Sequence, residues 1–337
     1  MDTVDLHDLA TILLRERLLS EPRFKHSHLR EINDGSAPRF IIPPDTPLPA
    51  LDDLPKNIPY LAFFLVDNAS EIPKIPEVIE VKSSGGACDV SEMELEMYFW
   101  GIRHHNSGYT LAHAMQLVLD ALPTTTKLHI RTSQGHFLAV PAASSFSIVE
   151  LPILALTTTY ICNMTPLERS DSVGRTRFSL AQHVTGGSGS FPWVYMLFQA
   201  VGDGIANTEQ PVVLDLVSPM LCFRGLGGEI FSMECLGEYH TKLLSQGALE
   251  GKPFKHSERI RFDPSDVPED SEAAQLSERV LTRLTKIKQG ETFCKYCGKE
   301  MAKSLCTVCK KARYCDKCQT KGRKYHKTWC KVDAKLE

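Results

Sequence analysis

The chain lacks any apolar run near the ~20 residues that a membrane-spanning helix needs. Its longest such run is Tyr60 to Val66. The opening residues, MDTVDLHD, are acidic and lack the basic start and apolar stretch of a signal peptide. A soluble, intracellular protein is therefore expected, with nucleus and cytoplasm both open. Asn68 and Asn163 head glycosylation-type triplets that should then stay unmodified. No segment repeats. The loop Gly186-Gly187-Ser188-Gly189 lacks the Gly-Lys-Ser/Thr of a phosphate-binding loop and reads as a flexible connection. Cysteine is sparse over most of the chain. Cys88, Cys162, Cys222 and Cys235 have no partner spacing and read as small buried hydrophobes. The other seven crowd between Cys294 and Cys330. Paired cysteines in a chain with no sign of secretion point to metal rather than to disulfides.

What is present is an ordinary globular composition, 337 residues with 42% hydrophobic and 23% charged. That suffices for one large domain plus a small module. The net charge of −3 hides an asymmetry: from Glu291 onward there are thirteen Lys and Arg against five Asp and Glu. Seven thiolates and two zinc ions would reduce that +8 to about +5. A basic patch can attract nucleic acid. Lysines filling the loops of a small metal module give the same pattern, and that reading is preferred.

Leu6, Leu9 and Leu13 repeat at helical spacing and predict a helix from Thr3 to Leu19. Proline density from Ala37 to Pro59 predicts an extended connection. Buried strands are expected at Tyr60–Val66 and Val78–Val81, and a helix at Gly108–Leu122. Further strands are expected at Lys127–Arg131, His136–Val140, Phe146–Glu150 and Thr158–Asn163. Pro192–Val201 is an apolar run, Pro211–Val217 a core strand, and Ile230–Leu244 a helix. Gly251–Ser271 has linker composition. A helix then starts at Ser271 as N-cap, carries Leu276, Val280, Leu284 and Ile287 as its apolar stripe, and closes at Gly290. The fold class is α+β: a mixed body of undetermined topology over residues 1–250, a linker and connecting helix over 251–290, and a small two-zinc finger over 291–337.

The finger's ligands are Cys294-x2-Cys297, Cys306-x2-Cys309, Cys315-x2-Cys318 and His326-x3-Cys330. Two intervening residues let both thiolates of a pair reach one zinc from a tight turn. Three put His326 and Cys330 on one side of a short helix. Zinc takes four such ligands in a tetrahedron, so eight make two closed sites, structural rather than catalytic. Spacing leaves sequential and interleaved pairing equally open. The peptide between the ligands is too short and polar to bury a core, so metal must supply the folding energy, on the order of 10 kcal/mol or more per site.

Six cysteines, then His, then Cys, with Tyr314 before the third pair, Gln319 after it and the His326–Lys327 step, resemble the MYND zinc finger. The resemblance implies cross-bracing: Cys294, Cys297, Cys315 and Cys318 on one zinc, Cys306, Cys309, His326 and Cys330 on the other. It also implies a protein-interaction module whose partner is a protein, in several members a short proline-containing peptide. Arg323 stands where the family usually has tryptophan, and Gly322 where an acidic residue is common. The layout as a whole looks like fungal MYND-domain proteins.

Enzymatic signals are weaker. MYND-bearing SET methyltransferases carry an Asn-His-Ser-Cys motif and a downstream cysteine cluster, and neither occurs here. His104, His105 and His113 with Glu92, Glu94 and Glu96 have the wrong spacing for a helical metal site and read as surface carboxylates and hydrogen-bonded histidines. Val212–Asp215 with Trp193–Phe198 is faintly similar to papain- or transglutaminase-like folds. Those need a cysteine opening a helix, whereas the helix at Gly108 follows Ser107. The leading expectation is a non-enzymatic docking protein. A hydrolase-like body targeted by the finger and a nucleic-acid binder are the alternatives, and no membrane partner is expected.

Overall fold

The computed structural model describes residues 3–34, 60–68, 71, 80–82, 90–132, 135–139, 146–154, 157–170, 176–185, 190–198, 211–245 and 271–333. The proline-rich stretch before Tyr60, Cys88, the glycine-rich loop 186–189 and the expected linker up to residue 270 lie outside them.

The body runs β1 (Thr3–Asp5), α1 (Leu6–Ser20), β2 (Ser27–Asn33), β3 (Tyr60–Asp67), β4 (Glu80–Lys82), α2 (Glu92–Arg103) and α3 (Gly108–Ala121). It continues through β5 (Lys127–Thr132), β6 (Gly135–Ala139), β7 (Phe146–Leu154), β8 (Thr158–Ser170), β9 (Thr176–Thr185) and β10 (Ser190–Phe198). β11 (Val212–Asp215), β12 (Ser232–Cys235), α4 (Leu236–Ser245) and α5 (Glu272–Lys288) complete it. The finger holds β13 (Ser304–Leu305), β14 (Arg313–Tyr314) and α6 (Gln319–Asp333). Helices and sheets are both abundant, as an α+β fold requires. Among the described residues no helix is long and apolar enough to cross a membrane.

The strands form sheets ordered β1-β5-β6, β12-β11-β10-β7 and β4-β2-β3-β8-β9, plus the β13-β14 ladder of the finger. The β10–β7 register is antiparallel over its whole length, from Ser190 opposite Leu154 to Phe198 opposite Phe146. β1 joins β5 in parallel and β3 joins β8 in parallel. One core gathers α1, α3, α5 and the β7-β10-β11 strands around Leu9, Leu13, Met115, Trp193 and Met196. A second lies between α2 and the five-stranded sheet, with Phe24, Ile32, Phe63, Leu95, Ile102 and Ile161. The connecting helix α5 puts Ala273, Leu276 and Val280 into the first core, so it packs on the body.

Two expected helices begin later than their periodicity suggests. Thr3–Asp5 is a strand, because it pairs with Lys127–His129. Asp5 then caps α1, accepting from the His7 amide at 2.9 Å and the Asp8 amide at 3.4 Å. Ser232–Cys235 is likewise a strand, fully buried and antiparallel to β11, and helix starts only at Leu236. A short buried run fits either structure by pattern alone. β2, α2 and β9 were not expected. α2 opens with a capping box in which Ser91 Oγ accepts from the Glu94 amide and Glu94 Oε2 from the Ser91 amide. Of the other cysteines, Cys162 and Cys235 are buried as expected, but Cys222 is exposed, closing a 3-10 turn with φ of 56°.

Candidate metal centre

The finger is built from repeated knuckles. The Gly298 amide donates to the Cys294 carbonyl at 2.9 Å and the Lys310 amide to the Cys306 carbonyl at 3.1 Å. Both closing residues sit in the left-handed region, with φ of 72° and 57°. Glycine is free there, whereas Lys310 holds it at a cost of about 1–2 kcal/mol. The third pair leads directly into α6. One turn of that helix places His326 and Cys330 on one face, with Tyr325 and Trp329 beside them.

The eight expected ligands gather into two groups. Cys294, Cys297, Cys315 and Cys318 form one; Cys306, Cys309, His326 and Cys330 form the other, all ligand atoms of a group lying within 4.8 Å of one another. The interleaved pairing is therefore the one the chain adopts. Cys297 Sγ lies 3.8 Å from Cys315 Sγ, and Cys306 Sγ 3.7 Å from Cys330 Sγ. A tetrahedron with Zn–S bonds of about 2.3 Å has edges of about 3.8 Å. The tightest approach, Cys309 Sγ to His326 Nε2 at 3.1 Å, selects Nε2 as the metal-facing nitrogen. Donor type and spacing thus fit zinc, and each group could hold one ion.

The finger's other face is spent on the body. Tyr296, inside the first knuckle, donates from Oη to Glu96 Oε2 at 2.7 Å, and Arg224 Nη2 meets the same oxygen at 2.6 Å. Burial, and then the Glu96 charge, raise the Tyr296 phenol's pKa, keeping it a donor. Tyr296 stacks on Tyr325 with centroids 5.6 Å apart and planes 6° from parallel. Gly228, with φ of 81°, lets the body approach that stack: a Cβ there would lie 1.8 Å from Tyr325 Cε1. Trp329 Nε1 donates to Glu229 at 3.3 Å, Lys295 pairs with Asp8, and Arg283 of α5 bridges Glu291 and Glu300. Gly298 also lies close against α1, its ideal Cβ 2.5 Å from Arg15 Cβ. Glu96 is thus not the surface carboxylate its sequence context suggests; it is 3% exposed.

A cavity of about 210 Å³ remains between α1, β5 and the finger, lined by Asp5, His7, Arg131, Glu229, Lys295 and Trp329 among others. Asp5, His7 and Asp8 bring potential ligand atoms together there. Burial alone would raise the Asp5 carboxyl, but Arg131, His129 and Lys295 hold it well below the usual range. With Arg131 and Lys295 already paired to Asp5 and Asp8, this is a neutralised ion network.

The remaining enzyme-like residues do not converge on an open site. Asp215 is fully buried and accepts from Trp193 Nε1 at 3.1 Å, Tyr239 Oη at 2.7 Å and the Val217 amide at 2.8 Å. Burial pushes its pKa up to about 6 against those three donors. The carboxylate braces β11 against β10 and α4. Ser107 is buried and donates to the His105 carbonyl.

His104 and His105 end α2 beside three arginines. Among the described residues, neither ring nitrogen of His104 has a hydrogen-bond partner. Burial, then Arg17 and Arg103, lower its pKa well below the ordinary value. His105 is lowered to about 3, by burial, Arg23 and His183. Both imidazoles are therefore neutral in the fold, and on acidification the unfolded chain takes up their protons first. Their stabilisation is complete above about pH 6.5 and is lost as pH falls toward the folded values. The expected slope is about 1.4 kcal/mol per pH unit for each imidazole. Denaturant titrations of zinc-saturated protein at pH 7.5 and pH 6 test this: His104→Phe, which keeps a ring against Trp100, should make the loss of stability between them smaller by about 0.8 kcal/mol. An unchanged slope would exclude His104.

Comparisons with family models, with characterised proteins and with solved structures return no match for this chain.

Proposed function

We propose that residues 294–330 are a MYND-type finger that binds two zinc ions as structural metals, and that the protein works by docking on a protein partner through it. The observation that carries this reading is the pair of four-donor groups in interleaved order, the order the MYND resemblance implies. A four-donor zinc site leaves no position for water or substrate, which supports a structural role over a catalytic one. Zinc would supply folding energy. The chain's own residues do the rest: Tyr296, Tyr325 and Trp329 fix the finger on the body, so a partner meets it in one orientation. The basic surface alone would suit nucleic acid equally.

Cross-linking of the full chain with the proteins that co-purify with it tests the reading. Cross-links are expected from Lys303, Lys310, Lys311, Lys324 and Lys327, all exposed on the finger. Cross-links confined to lysines of the body would contradict it.

A further inference from the structure

The finger's free face has an unusual combination of surfaces. Phe293, Tyr296, Tyr325 and Trp329 are turned toward the body, yet Leu305 is 38% and Val308 63% exposed. The two flank Cys306 and Thr307 in the second knuckle. Arg323 Nη2 approaches Thr307 Oγ1 within 3.5 Å, which joins the outer side of α6 to that knuckle. Lys303, Lys310, Lys311, Lys324 and Lys327 are also exposed on the finger, as is Arg323 itself. Between Glu291 and Cys330, Asp316 is the one exposed carboxylate; Glu291 and Glu300 are taken up by Arg283.

Leu305 and Val308 belong to none of the buried clusters, while Lys324 lies over the Tyr325 ring at 5.9 Å. An exposed valine contributes nothing until it is covered, when each Å² of apolar area removed from water returns roughly 25 cal/mol. The face is basic in sum, with Asp316 its one exposed carboxylate. A phosphate backbone would use the cations and gain nothing from Leu305 and Val308. A purely apolar or proline-rich segment would use the aliphatic pair and leave the cations idle. Only a segment carrying both carboxylates and aliphatic side chains matches the whole face, with the charges steering encounter and the aliphatic pair fixing register.

We propose that the second knuckle and the adjoining Arg323 side of α6 bind an acidic protein segment bearing aliphatic side chains. This rests on the reading of the finger as a docking module and specifies its partner. Arg323, where the family usually has tryptophan, sets the preference for acid. Because the apolar part is small and the charges are exposed, binding is in the micromolar range and weakens with salt, whose screening length is about 10 Å at 0.1 M.

The test is fluorescence anisotropy on the full-length, zinc-loaded protein. The probe is a short dye-labelled synthetic peptide of aspartates and glutamates with two leucines. Controls are the same peptide with serines for leucines, one with lysines for the acids, a proline-rich peptide, and a single-stranded oligonucleotide of matching charge. The acidic leucine peptide is expected to bind, and to lose about tenfold or more in affinity, ~1.4 kcal/mol, when its leucines are replaced. Val308→Asp and Lys303→Glu, each with zinc content unchanged, should weaken it similarly; Lys303 is exposed and lies outside both knuckles, so the second guards against misfolding of the first. Equal binding of the serine peptide, or an affinity indifferent to both substitutions, would overturn the proposal. Tighter, Val308-independent binding of the oligonucleotide would assign the face to nucleic acid. Binding of the proline-rich peptide alone, or of no peptide while partner cross-links still map to finger lysines, would refute this partner class and leave the docking reading standing.

Discussion

Stripping the metal from the protein is expected to destabilise the body as well as to unfold the finger. The finger itself should lose on the order of 10 kcal/mol or more per site. The body loses what the finger lends it. Phe293 sits in the main core at 6% exposure. Tyr296 satisfies Glu96, and Trp329 satisfies Glu229. Lys295 answers Asp8, and Glu300 answers Arg283. A hydrogen bond to a buried charge is worth about 1.5–3 kcal/mol, so the summed loss from the body is several kcal/mol. At about 2–4 °C per kcal/mol for a domain of this size, its melting point should fall by about 10 °C or more. Trp100 and Trp193 are buried in the body and report on it directly. Their thermal transition, followed with and without a strong chelator and after zinc is restored, gives the answer. A body transition indifferent to chelation would mean that the finger is merely tethered.

The second large effect is expected at Glu96. Its carboxylate is shared between Arg224 and Tyr296, and Arg224 also donates to the Gly228 carbonyl at 2.9 Å. Removing one partner of a buried pair leaves the other charge uncompensated, which costs about 3–5 kcal/mol. Glu96→Ala should therefore lower unfolding free energy by about that amount. Glu96→Gln, which can still accept from Tyr296, should cost less. Tyr296→Phe should cost about 1–2 kcal/mol, and a double-mutant cycle between positions 96 and 296 should show clear coupling. Denaturant titration of the zinc-loaded variants measures all of these. A loss under 1 kcal/mol for Glu96→Ala would place Glu96 in water, away from the finger.

What the sequence makes legible divides along a physical line. Metal ligation would impose short, local spacings, so the eight residues that gather into the two donor groups can all be read from the chain. Elements whose buried face repeats over several turns or alternations are also readable, among them α3, α5, β3 and β7. Thr3–Asp5 and Ser232–Cys235 are not, because a few buried residues take their structure from the strand beside them: β5 for the first, β11 for the second. The pairing of ligands is invisible to spacing, since both arrangements use four donors per ion. The docking of the finger leaves least trace. Glu96 meets Tyr296 across two hundred positions, and its neighbours Glu92 and Glu94 make the segment look like a solvated face. Two local signals were available. Ser91-x-x-Glu94 is a capping box that marks the start of α2, and the glycine-rich run before Glu229 marks a close approach, explained by the Tyr325 ring against Gly228.

Each donor group draws on two separated segments of the finger, and metal content per chain, measured by native mass spectrometry on the full protein and on the Cys294→Ser/Cys318→Ser double variant, checks that arrangement. Interleaved pairing puts both substitutions in one site, so two zinc ions are expected in the full protein and one in the variant. Fewer than two ions in the full protein, or none in the variant because sequential pairing damages both sites at once, would contradict it.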